Sequence, residues 1–214
     1  MATIRVAVEE FTKLSGKVTV LESKASAQDT IIVSLVAEVK HLKEQVNGHD
    51  QFGKLNALRI LNVPGSDSET GLAACVYDTV LKPILAAAKL KGDLTTLPQV
   101  GTTITEVFRA GRFSQGANKP PPPIIVKFTT PSIRLAVLKN KRINMPPPLV
   151  AGAKRYIIVE DLTPSTHRKL KELAEDDRVE KAWTMGGLIW ATTKKNKVPF
   201  KVRSIFDSND FILG

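Results

Sequence analysis

Apolar residues recur every 3.5 positions from Ile4 to His49, and the frame never slips. The a-like positions are Ile4, Phe11, Val18, Ala25, Ile32, Val39 and Val46; the d-like positions are Ala7, Leu14, Leu21, Gln28, Leu35, Leu42 and His49. A seam held this long predicts one helix that associates with copies of itself as a coiled coil. If chains run parallel and in register, Lys17 faces Glu22, Lys24 faces Asp29 and Glu38 faces Lys43, all opposite in sign. The strand number has two readings. β-Branched a residues over Leu at d favour a dimer, whereas Ile31 at g, Val36 at e and Val8 at e widen the stripe and suit a trimer. Gln28 adds a polar layer that fixes register. Phe11, Leu14, Val18, Leu21, Gln28, Ile32, Leu35, Val39, Leu42 and Val46 are the expected oligomerisation contacts.

The period changes after Gly48–Gly53, a polar stretch that ends the heptads. Leu58–Val63 reads as a strand stopped by Pro64-Gly65. Ser66 and Glu69 have capping-box spacing and open a helix towards Lys91-Gly92, with a kink or restart at Pro83. Residues 105–109 and 124–128 read as strands. Pro131 opens a basic helix to about Arg142, and residues 156–159 form a fourth strand. Proline-rich loops lie at Gly116–Pro123 and Pro146–Pro148. The order β-α-β-β-α-β is the ferredoxin-like split arrangement shared by RNA recognition motifs. Thr163-Pro164 then caps a helix running through Arg178. Strands around Trp183 and Trp190 flank the hairpin signal Met185-Gly186-Gly187, Val198–Ile205 alternates as a further strand, and a short closing helix takes in Phe206, Phe211 and Ile212. The predicted fold is therefore α+β, with a coiled coil over 1–52, a recognition-motif-like domain over 55–160 and a small α/β domain over 161–214.

Charge separates along the same lines. Residues 1–50 carry six Lys/Arg and seven Asp/Glu; residues 51–214 carry 25 and 14, a net +11. A basic globular part on a near-neutral arm points to a polyanion, most simply nucleic acid. The single Cys75 excludes an intrachain disulfide and a cysteine-based zinc site, and suits a reducing, intracellular setting. Neither a secretory leader nor a bilayer-length apolar run is apparent. His41, His49 and His167 lie apart, and no nucleophile–base grouping or phosphate-binding Gly loop is visible. The acidic pairs Glu160-Asp161 and Asp176-Asp177 read as a strand end and a helix end. The chain thus reads as a non-enzyme without cofactor or metal.

The strand positions where a recognition motif stacks bases on aromatic rings are occupied here by Arg59, Pro123 and Ile125. Phe108 is equally suited to the core or to a base. Affinity is then expected from phosphate contacts with little sequence preference. The candidate contacts are Arg59, Arg109, Arg112, Lys127, Lys139, Arg142, Lys154, Arg155, Arg168, Lys169, Lys171, Lys201 and Arg203, around a cleft between the second and third domains. The competing reading is a coiled-coil scaffold whose basic surface serves solubility.

The layout resembles the first-open-reading-frame RNA-binding protein of LINE-type non-LTR retrotransposons. The likeness rests on Leu58–Pro64, Ile124–Thr129, Asp161-Leu162-Thr163 and Ala182–Ile189, in that order over nearly the whole chain. The resemblance implies a parallel homotrimer, with a dimer as the alternative, that coats element RNA and acts as a nucleic acid chaperone during target-primed reverse transcription. The implied partners are single-stranded RNA and DNA and the element's reverse transcriptase, in cytoplasmic and also nuclear ribonucleoprotein particles, with no membrane role. It assigns RNA contacts to Arg109 and Arg112, to Lys139 and Arg142, and to Arg168 and Lys169. The poly-Pro loop departs from the family pattern, where a basic loop is usual.

Overall fold

The computed structural model describes residues 2–65, 70–113, 120–142 and 155–213, with the side chains of 2–8 and 211 left aside. The capping-box pair Ser66/Glu69, residues 116–119 of the 116–123 loop, Pro146–Pro148 and Lys154 lie outside the described residues. The fold is α+β, a long N-terminal helix followed by two antiparallel sheets. The chain divides into two compact units, 1–46 and 47–214.

The first unit is helix α1, which spans Ala2–Gly53 and so carries its final turns into the second unit. It passes through Gly48 and stops at Gly53, within the stretch expected to end it. The described a and d side chains are open to solvent in the single chain, from Phe11 at 74% to Val39 at 48%. Thr19 and Thr30 bond back to the carbonyls of Ser15 and Ser26, which meets their hydroxyls without interrupting the helix.

The second unit begins with strand β1 (Ala57–Leu61). Helix α2 (Leu72–Val76) continues through a π turn at Tyr77–Leu81 into α3 (Lys82–Leu90). A kink or restart was expected at Pro83, and the π turn is how the chain accommodates it. Proline cannot donate to the Thr79 carbonyl and its ring crowds that group. The preceding turn widens instead, and the Lys82 N–H bonds to the Tyr77 carbonyl five residues back. A short α4 (Val100–Thr103) precedes β2 (Ile104–Arg109). Strand β3 (Ile124–Phe128), helix α5 (Pro131–Asn140) and β4 (Ile157–Glu160) complete the first sheet, whose order is β2-β3-β1-β4 with every neighbouring pair antiparallel.

Alternation decides the two faces of this sheet. Leu58 and Ile60 of β1, Ile124, Val126 and Phe128 of β3, and Ile158 of β4 join Val80, Ile84, Leu85 and Val137 of the helices in one core. Arg59, Leu61, Phe108, Lys127 and Val159 fall on the opposite face. Lys127 there pairs with Glu106 at 2.6 Å and sits 5.8 Å from the centre of the Phe108 ring.

Helix α6 (Pro164–Glu175) and strands β5 (Val179–Met185), β6 (Leu188–Thr193) and β7 (Phe200–Lys201) form the second sheet layer, closed by α7 (Asn209–Leu213). Leu173, Val179, Ile189, Ala191 and Val202 are its core. Helix α6 ends three residues short of the expected Arg178. The Asp176 carboxylate takes the Arg178 backbone N–H and guanidinium at 2.9–3.0 Å, which turns the chain out of the helix. Those bonds also hold the Asp176 carboxyl well below the ordinary range. β7 is far shorter than the 198–205 run predicted. Asn196 exchanges bonds with Thr193 and accepts from the Val198 N–H, so the approach to β7 is a turn.

The junction between the sheets is buried. Asp161, Leu162 and Thr163 keep 3%, 8% and 2% of their accessible surface. Gln51, at the end of α1, binds this segment as another backbone strand would. Its Nε2 donates to the Asp161 carbonyl and its Oε1 accepts from the Thr163 N–H, both at 3.0 Å. The Thr163 hydroxyl caps α6 by accepting from the Thr166 N–H and donates to the Asn47 side chain. Thr163→Ala is expected to cost about 1–2 kcal/mol, the upper range for a helix cap because the hydroxyl also bonds in the interior. Urea unfolding measures it, and a change below about 0.3 kcal/mol would refute this role.

Candidate functional site

Two buried carboxylates build the site. Glu160 ends β4 and its side chain points to the helix side, where it meets Arg134 of α5. Both of its oxygens also accept backbone N–H groups from the β5–β6 turn, Gly186 at 2.9 Å and Gly187 at 3.3 Å. Both glycines have positive φ, 63° and 74°, as a two-residue hairpin of this hand requires. Gly187 has a second reason to lack a side chain, since a Cβ there would lie 2.8 Å from Gln51 Cγ. Asp161, next in sequence, accepts from Lys54 at 2.7 Å and from Arg59 at 2.9 and 3.3 Å. The acidic pair that ends β4 therefore ties the terminal hairpin to α5 and holds two cations at the sheet surface.

A cleft of about 1060 Å³ opens around these groups at the β4 edge. Lys54, Arg59, Arg134, Lys139 and Lys141 supply its positive charge, with Glu160 the lining carboxylate; His167 contributes an imidazole. Leu61, Leu135, Leu162, Trp183 and Met185 give it apolar surface. Lys139 pairs with Asp93 at 3.2 Å, and Asn140 donates to the same carboxylate; the two together hold Asp93 below its usual carboxylate range. Lys141 donates to the Ile158 carbonyl at 2.7 Å, and its partial burial, with Arg142 nearby, pulls its ammonium pKa down. A lining of this kind can take an anionic chain along its cations and apolar rings or bases against its leucines, Met185 and Trp183.

The predicted contact residues divide. Arg59 and Lys139 line the cleft. Arg112, Arg142, Arg155, Arg168, Lys171, Lys201 and Arg203 are exposed without lining it, and Lys127 sits on the open face of the first sheet. Arg109 and Lys169 have structural work instead. The Arg109 guanidinium donates to the carbonyls of Val63, Pro64 and Pro122 and lies 4.9 Å from the centre of the Phe113 ring, fastening the end of β2 to the proline loop. Lys169 is buried, with its ammonium on the Asp207 carbonyl at 2.6 Å and Asn209 at 2.9 Å, so it anchors the C-terminal segment to α6. Sequence reasoning passed over Lys54, left Trp183 as a strand residue and counted Met185 in the hairpin signal. Arg134 and Lys141 stood within a basic group but were not singled out. Nothing local marks Lys54, whose role is set by a partner over 100 positions away.

Among the described residues no helix is long and apolar enough to cross a membrane, and no cluster of His, Cys, Asp or Glu could hold a metal ion. No family model matches the chain, and no curated protein is significantly similar to it.

Proposed function

We propose that the chain is an oligomeric, largely sequence-independent binder of single-stranded RNA and DNA, with the cleft at the β4 edge as its principal site. The observation that carries this reading is the cleft's composition, five Lys/Arg side chains met by three carboxylates, Glu160, Asp161 and Asp93, beside leucines, Met185 and Trp183. The net +11 of residues 51–214 supports it. The first sheet, on this reading, is a degenerate recognition motif whose aromatic slots are taken by Arg59, Pro123 and Ile125. The exposed heptad seam of α1 makes a parallel coiled coil, a homotrimer, that gathers several weak sites. The resemblance to LINE-type first-open-reading-frame proteins extends the proposal to packaging of element RNA and strand remodelling, which need fast, phosphate-dominated contacts.

Affinity for a 30-mer of mixed sequence should fall steeply and linearly on a log–log plot between about 50 and 500 mM salt, and change little between sequences. Fluorescence anisotropy of a labelled oligonucleotide measures both. Binding indifferent to salt would overturn the proposal, and no binding at micromolar protein would favour the scaffold reading.

A further inference from the structure

The second sheet has a face of which the cleft takes in only Trp183 and Met185. Ile189, Ala191, Ala182 and Phe200 turn inward onto α6, so the alternate residues turn outward. That outer face carries Trp183 directly opposite Trp190, Met185 opposite Leu188, and Lys181 opposite Thr192; Lys201 of β7 flanks Trp190 on its other side. Met185 and Leu188 are 58% and 44% exposed, and both tryptophans are half-buried. These are the only two tryptophans in the chain. Two polar atoms of this face, the Trp190 indole N–H and the Thr192 hydroxyl, are shielded from water and have no hydrogen-bond partner. An unmet buried donor costs stability, so this part of the sheet carries a local penalty.

We infer that this face is a second nucleic acid site, a base-stacking platform centred on the Trp183–Trp190 pair. Charge selects the occupant. Lys181 and Lys201 are exposed beside the rings, Lys194, Lys195 and Lys197 follow in the adjoining turn, and Glu180 is the acidic neighbour on β5. Indole faces rimmed by ammonium groups suit single-stranded nucleic acid, whose bases stack while phosphates meet the lysines. The inference rests on the nucleic-acid reading above and carries the stacking surface from Trp183, at the border of the cleft, onto Trp190 beyond it. It gives back to the terminal domain the aromatic stacking that the first sheet has lost.

The full chain carrying Trp183→Phe keeps Trp190 as its sole indole and so reports this face apart from the cleft, which Trp183 also borders. A 30-mer of deoxythymidine and an abasic 30-mer of equal charge would be titrated in low salt, with anisotropy of an end label reporting binding and indole emission reporting stacking. Expected are binding of both oligomers, quenching of Trp190 emission by the base-bearing one only, and weaker binding of the abasic one. Trp190→Ala in the otherwise unchanged chain should weaken the base-bearing oligomer by roughly tenfold, a typical value for one stacked base, and Trp190→Phe should retain most of the affinity. Binding of both oligomers with Trp190 emission unchanged would overturn the platform and leave the cleft reading standing. Binding of neither would overturn both.

Discussion

Arg134→Met should cost about 3–5 kcal/mol in denaturant unfolding, the largest single-residue effect expected outside the apolar cores. Arg134 and Glu160 keep 10% and 5% of their side-chain surface, so removing the guanidinium strands a carboxylate away from water. The two glycine N–H groups that remain are too few to replace a paired charge. Since a domain is typically stable by about 5–15 kcal/mol, the variant should be visibly less soluble and bind more weakly for that reason alone. Adding Glu160→Gln removes the orphaned charge while leaving an acceptor for one glycine, and should restore at least half of the loss. A cost under about 1 kcal/mol for Arg134→Met would show the pair to be better hydrated than its burial implies.

The second large effect concerns the seam. Ile32→Asp with Leu35→Asp places charges on adjacent a and d positions in the middle of α1, where both side chains are exposed in the single chain. Sedimentation velocity should show an oligomer for the unaltered chain and a monomer for the variant. Affinity for a long oligonucleotide should drop by about 10²–10⁴ while affinity for a 6-mer, which engages one site, stays nearly level. The short oligomer is the control, because a loss there would mean that the globular unit itself is damaged. Unchanged sedimentation would refute self-association through this stripe.

What could be read from the sequence follows from the range of the interactions involved. The heptads, the strand at Leu58–Leu61, the strand at Ile124–Phe128 and the Gly186-Gly187 turn are set by neighbours within a few positions, and their patterns announce them. Pro83 announced a disturbance but not its form, because a π turn and a kink relieve the same clash. The early end of α6 was hidden in Asp176, which could equally continue a helix or turn back onto Arg178. Lys169 looked like any other cation on a polar helix until the C-terminal segment folded over it. Gln51 was unreadable altogether. Nothing in its own stretch indicates that an amide ending a long helix will pair with the backbone of residues 161 and 163, more than 100 positions on.

The same residues bear on how such a protein can be divided or recombined. Residue 160 looks like a natural seam between two modules, yet three elements converge there: the last turns of α1, the end of β4 and the β5–β6 hairpin. Cutting the chain at that point would deprive Glu160 of Gly186 and Gly187, leave Lys54 and Arg59 facing no carboxylate, and expose Leu162. The terminal fifty residues are therefore not a cassette. Recombination that exchanges them between chains must carry the matching Asn47, Gln51 and Arg134 as well, so the two sheets behave as one unit in any such exchange.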